Sequence, residues 1–279
     1  MALSIATSYK IAQTFFLVSL QAIQLYQLKN KDWETDKSEH FVVYYDDQSE
    51  SAWIEDVLRK AEYYYDKIAE DIGYARYMNY WTWEDRVKIY LFPDKMSYAQ
   101  STFYPPWTTG VVFRDEEVFK SKVIVTFKQE ENFLDGVLPH EISHLILRDF
   151  IGFDKPIPKW FDEGVAQLQE KEKRHIAYQY MINAVAQKEY LPLRQLVNMD
   201  IRKELDHEKI VRFYAQSVSV VDFMVSKYGN YRFGELCFAM KEGKSFEEAL
   251  QKAYSTVFDS LDELEEKYLK YFQQNEFGL

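Results

Sequence analysis

His140-Glu141-Ile142-Ser143-His144 and Trp160-Phe161-Asp162-Glu163-Gly164 leave 18 residues between His144 and Glu163. Together they ask for two helices folded against each other. Histidines at i and i+4 on a helix lie about 40° apart around the axis and one turn apart along it, so both imidazoles can reach one zinc ion. Glu141 projects to a neighbouring face, where it can take a proton from a zinc-bound water. The first segment must then be helical. Leu138, Ile142, Leu145 and Ile146 supply its apolar side, Gly152 a stop and Asp135 an N-cap. Pro139 is tolerated only in the first turn, which puts the helix start near Gly136. With five histidines in 279 residues, chance supplies about 0.01 such motifs.

A catalytic zinc keeps three protein ligands and one open position. Glu163 is the candidate third ligand, because Gly152, Pro156 and Pro158 turn the chain back and let the second helix pack on the first. A surface acid near a helix N-terminus is the bland alternative, since negative charge is favourable there anyway. Beside the complete histidine pair the metal reading prevails, with one Zn2+ per chain.

Outward from the motif, the chain divides in two. His40–Tyr45, Arg86–Phe92, Gly110–Arg114 and Lys122–Phe127 are short β-branched and aromatic runs that read as strands. Ser51–Ile72 carries Trp53, Val57, Ala61, Tyr64, Ile68 and Ile72 at helical spacing. Residues 93–101 read as a short helix, and Pro105-Pro106 as a loop. Beyond residue 128 the pattern is helical to the end, with breaks near Gly152–Pro158, Leu191-Pro192, Gly229 and Gly243. Ser245 with Glu248 and Ser260 with Glu263 form capping boxes. The fold class is therefore α+β: a small mixed sheet with the active-site helix (38–150), then a mainly helical lobe (151–272). Only 9 Gly and 7 Pro argue against a many-stranded sandwich.

Lys and Arg number 34 against 45 Asp and Glu, a net charge of -11, and no nucleic-acid partner is expected of so acidic a chain. Cys237 is the single cysteine, which excludes an internal disulfide and a thiolate zinc site. Residues 1–30 form a separate unit: a secretory signal, a membrane anchor or an amphipathic helix with Lys10, Gln13, Thr14, Gln21, Gln24 and Gln27 on one face. An extracytoplasmic or membrane-associated location follows from the first two, a cytoplasmic one from an ordinary N-terminal helix.

The motif pair resembles the gluzincin metallopeptidases, among them thermolysin and the aminopeptidase N family. It is most similar to the bacterial peptidase MA-like domains. Shared with those are an opening strand like EHFVVYY (39–45), a segment like FYAQSVSVVDFMVSKYG (213–229) and a tail like EGKSFEEAL (242–250), so that the similarity runs from about Glu39 to about Tyr271. The resemblance implies a thermolysin-like zincin catalytic domain, with His140, His144 and Glu163 as zinc ligands and Glu141 as general base. It also implies a phenol or imidazole that stabilises the oxyanion, for which Tyr214 is the candidate and His207 the second choice. His40 and His175 stay unassigned.

The resemblance further implies a substrate-binding edge strand ahead of the active-site helix, matched here by Gly110, Val111 and Val112. Aminopeptidase N carries an acidic GxMEN motif on that strand to hold a free amine; Thr108-Thr109-Gly110-Val111-Val112-Phe113 has no acid. Gln129-Glu130-Glu131-Asn132 is similar but too close to His140. The implied activity is thus zinc-dependent hydrolysis inside a peptide or protein substrate. The rival readings are an inactive zinc-containing peptide-binding module, a membrane-associated assembly module and hydrolysis of an ester or epoxide. The sequence leaves the oligomeric state open.

Overall fold

The computed structural model describes residues 28, 30–46, 51–79, 81–102, 110–115, 121–128 and 132–275. The N-terminal segment expected as signal, anchor or amphipathic helix lies outside these residues, except for Leu28 and Asn30. So do Pro105-Pro106 and Gln129–Glu131. Among the described residues no helix is long and apolar enough to cross a membrane.

Five strands make one mixed sheet: β1 (Glu34–Lys37), β2 (Phe41–Tyr45), β3 (Val87–Phe92), β4 (Gly110–Asp115) and β5 (Ser121–Phe127), in the order β1-β2-β3-β5-β4. β2, β3 and β5 run parallel, while β1 and β4 pair antiparallel at the two edges. Helix α1 (Ser51–Asp71) makes the crossover from β2 to β3, and α2 (Lys95–Thr102) follows β3. The central strands are apolar nearly throughout because both faces are covered. Phe41, Val43, Ile89, Leu91 and Ile124 face the main core with Val57, Ala61, Ile68 and Ile72 of α1. Tyr90, Phe92, Val123, Val125 and Phe127 face a second cluster with Tyr98 and Leu28. The four expected strands are present. β1 was not foreseen: Glu-Thr-Asp-Lys has no apolar pattern and is a strand because its backbone pairs with β2.

The entry to the motif helix differs from the expectation. A π-helical turn, Phe133–Val137, precedes α3 (Leu138–Ile151), and the amides of Gly136 and Val137 both donate to Asn132 O. The wide turn accommodates Pro139, which has no N–H to give to a carbonyl one turn back. Asp135 does not cap. Its carboxylate accepts from Lys60 Nζ (2.5 Å) and Tyr64 OH (2.7 Å), tying the turn to α1. At the other end Gly152 stops α3 with φ 121°.

The helical lobe comprises α4 (Lys159–Leu168), α5 (Lys171–Gln187), α6 (Leu193–Asn198), α7 (His207–Lys241), α8 (Phe246–Tyr254) and α9 (Leu261–Asn275). α4 starts directly after Pro158 and is buried at every position from Trp160 to Leu168, a core helix covered on all sides. It crosses α7 at Gly164, where an added Cβ would lie 2.5 Å from Ser217 O. α7 is two helical stretches joined at Gly229 (φ 84°), as the sequence break suggested. The Ser245–Glu248 capping box is complete, whereas Glu263 reaches back to the Asp259 amide instead of Ser260's.

Candidate metal centre

α3 carries His140 and His144 one turn apart, and α4 brings Glu163 alongside them. One nitrogen of each histidine and one carboxylate oxygen of Glu163 lie within 4.8 Å of one another. The two Nε2 atoms are 3.1 Å apart, and His140 Nε2 is 3.9 Å from Glu163 Oε2. The opposite ring nitrogens are both held: His140 Nδ1 by Glu170 Oε1 (2.8 Å) and His144 Nδ1 by Asp162 Oδ1 (2.6 Å). A carboxylate at Nδ1 takes the ring N–H and leaves the Nε2 lone pair aimed inward. Two imidazole nitrogens and a carboxylate oxygen converging in this way fit a divalent transition metal.

Three of the four buried carboxylates at the site have a cation of their own. Glu163 Oε1 pairs with Lys159 (2.9 Å), Asp162 Oδ2 with Arg148 (2.6 Å) and Glu170 Oε2 with Lys173 (2.7 Å). Burial pushes the carboxyls of Asp162, Glu163 and Glu170 up. The charge of His144 on the first two, and the hydrogen bond from His140 on the third, lead the opposing effects that hold all three below the usual carboxylate range. His144 is the counterpart: burial opposes its charging, yet Asp162, joined by the charges of Glu163 and Glu141, raises the imidazole to about 9. Glu141 is the exception. It is buried, no basic side chain among the described residues forms a salt bridge with it, and burial raises its carboxyl above the ordinary range.

Glu141 packs against the edge strand. A Cβ built on Gly110 would lie 2.6 Å from its carboxyl, so β4 passes directly over the motif. β4 is an edge strand of the sheet, paired antiparallel with β5. Tyr214, on α7, lines the same cavity as His140 and Glu163, and burial followed by the charge of Glu163 raises its phenol. His207 is exposed at the start of α7, three residues before the first residue of that helix to line the cavity. His40 is bound to Glu62 (2.6 Å) beside Tyr65, and His175 is exposed on α5.

The residues that hold His140, His144 and Glu163 in place escaped the sequence reading. Asp162 had a visible signal, since it precedes Glu163 in the motif. Glu170 lies two helical turns beyond Glu163, but α4 ends at Leu168 and only the turn into α5 brings it to His140. Lys159 and Arg148 stand one turn from Glu163 and His144, positions that read equally well as a solvated helix face.

The sequence model of the Peptidase MA superfamily matches residues 75–272, a span that contains β3 to β5, the histidine pair, Glu163 and Tyr214. The chain belongs to the Peptidase MA superfamily. Comparison with curated proteins finds no match. As a Peptidase MA superfamily member it carries a metallopeptidase-type domain, and the residues that cluster as a metal site lie inside the matched span.

Proposed function

We propose that this Peptidase MA superfamily domain is a zinc-dependent endopeptidase of gluzincin type, with a thermolysin-like arrangement of sheet edge, motif helix and ligand helix. The observation that carries this reading is the convergence of His140 Nε2, His144 Nε2 and Glu163 Oε2 beside a buried Glu141. Zinc held by those three residues would polarise the scissile carbonyl and lower the pKa of a water to about 7.

The remaining steps belong to the chain. Glu141, buried so that its carboxyl is raised, accepts the proton of the attacking water and passes it to the leaving amine. Asp162 and Glu170 keep both imidazoles in the tautomer that offers Nε2. Tyr214 donates its O–H to the developing oxyanion from the α7 side. β4, the edge strand with Gly110 against Glu141, lines up an extended peptide by backbone hydrogen bonds, which are independent of sequence. Without an acid at Gly110–Phe113 to hold a free amine, cleavage falls within chains, not at their N-termini.

The test is the zinc content of the purified protein beside Glu163→Ala, together with peptide turnover by Glu141→Gln. About one zinc per chain in the parent, lost in Glu163→Ala, is the expected result. Glu141→Gln should keep its zinc and lose turnover; retained hydrolysis there would remove Glu141 from the mechanism.

A further inference from the structure

Lys159 is the first residue of α4, four positions before Glu163. Helix stability alone would not choose it. A cation at a helix N-terminus opposes the macrodipole, and Lys ahead of Glu is the weaker order of an i,i+4 pair. Yet its ammonium is drawn in against two buried carboxylates, with 35% of the side chain exposed. The distances rank these partners. Glu163 Oε1 lies 2.9 Å from Lys159 Nζ and Asp162 Oδ2 lies 3.5 Å from it. Asp162 is already served by His144 and Arg148, each at 2.6 Å. Among the described residues, Lys159 is the one Lys or Arg that pairs with Glu163.

The two oxygens of Glu163 therefore keep different company. Oε1 is engaged by Lys159, while Oε2 is the one 3.9 Å from His140 Nε2. α4 cannot shift to relieve the pairing, because Gly164 seats it on α7 with Ser217 O 2.5 Å from where a Cβ would lie. A carboxylate can ligate a metal through one oxygen or through both. Through both, it would take up the position that a hydrolytic metal site keeps open. An oxygen already committed to a close ammonium is a poor donor to a second cation.

We propose that Lys159 is a positioning residue that limits Glu163 to one metal-binding oxygen, Oε2, and so keeps a coordination position free for substrate. The inference rests on the metal-binding part of the peptidase reading, but its test does not depend on turnover. The probe is Co2+ alone, whose visible absorption weakens as its coordination number rises above four. Lys159→Met removes the ammonium and keeps the chain length. It should lose at least about half of the parent's absorbance per bound cobalt. Lys159→Arg, which retains a cation, should restore it. Arg148→Met removes the cation that serves Asp162 and not Glu163, and should keep the parent spectrum. Zinc affinity of Lys159→Met, read by chelator competition, should match or exceed the parent's, because a like charge has left the site and an oxygen donor has been gained. Where Lys159→Met fails to fold, a crystal structure of the zinc-loaded parent decides: Oε2 alone bonded to the metal sustains the proposal, and both oxygens bonded overturn it.

Unchanged absorption in Lys159→Met, the same loss in Arg148→Met, or no rescue by Lys159→Arg overturns the proposal. So does a zinc affinity about tenfold or more below the parent's, which a residue that merely anchors Glu163 would give. Peptide hydrolysis measured on the same preparations keeps the two readings apart. The expected spectra without hydrolysis would sustain the role of Lys159 and retire the peptidase; hydrolysis with an unchanged Lys159→Met spectrum would do the reverse. A parent that binds neither cobalt nor zinc retires both.

Discussion

Two glycines carry much of the geometry at the scale of single residues. An added methyl at Gly164 would meet Ser217 O at 2.5 Å and Val221 Cγ2 at 2.7 Å, and the backbone carbonyl cannot swing aside. Gly164→Ala should therefore cost about 1–3 kcal/mol by forcing α4 from α7, measured by denaturant unfolding. At Gly110 the obstacle is the end of a flexible side chain, the Glu141 carboxyl at 2.6 Å. Gly110→Ala should leave stability and zinc content nearly unchanged while displacing the base and lowering turnover by about 100-fold. Equal turnover in that variant would separate β4 from the chemistry.

His144 supplies the pH dependence at this scale. Its metal-free pKa of about 9 lies above the unfolded value near 6.5, so the protonated His144–Asp162 pair stabilises the metal-free fold below about pH 6.5. That contribution is lost as pH rises through about 9. Metal binding needs the neutral ring, so apparent zinc affinity should climb with pH up to about 9 and then flatten, as read by chelator competition across that range. An affinity independent of pH from 6 to 9 would mean that Asp162 does not hold His144 charged.

Between elements, polar groups decide positions that apolar packing alone leaves loose. Asp149 near the end of α3 accepts from Tyr74 OH (2.5 Å) and Trp81 Nε1 (2.9 Å) and sits 3.4 Å from Lys122 Nζ of β5. Asp149→Ala would leave the Lys122 ammonium buried without its carboxylate, at a cost of about 3 kcal/mol measured by thermal or denaturant unfolding. The helices and the four central and edge strands near the motif were legible from periodicity, because each buries one face or both. Two features were not. β1 is created by its partner strand, and the π-helical turn before Leu138 resolves a conflict between Pro139 and helical hydrogen bonding that is visible in the sequence without its solution.

For the whole molecule, the candidate site is backed by a closely packed core. His140 and His144 are held by Glu170 and Asp162, and α3 and α4 pack through Ile142, Leu145, Ile146, Trp160 and Phe161, each at most 1% exposed. Chelation should therefore leave the far-ultraviolet circular dichroism unchanged and lower the melting temperature only by lost binding. At zinc 100-fold above Kd the difference is about 2.7 kcal/mol. Collapse of the helical signal on chelation would instead make the metal part of the folding nucleus.

The sequence by itself put His140 and His144 on one helix face and singled out Glu163 and Glu141 beside them, because a helix places i and i+4 together whatever surrounds it and the residue types that can bind a metal are few. It also determined the α+β division, since periods of 2 and 3.6 are local properties. Only the tertiary structure decided which carboxylate holds which imidazole, that Gly110 lies against Glu141, and that α5 and α7 leave an apolar cavity beside Tyr214. Those relations join residues from separate elements whose mutual distance is set by how side chains pack, and packing is a property of the assembled core, not of any one segment.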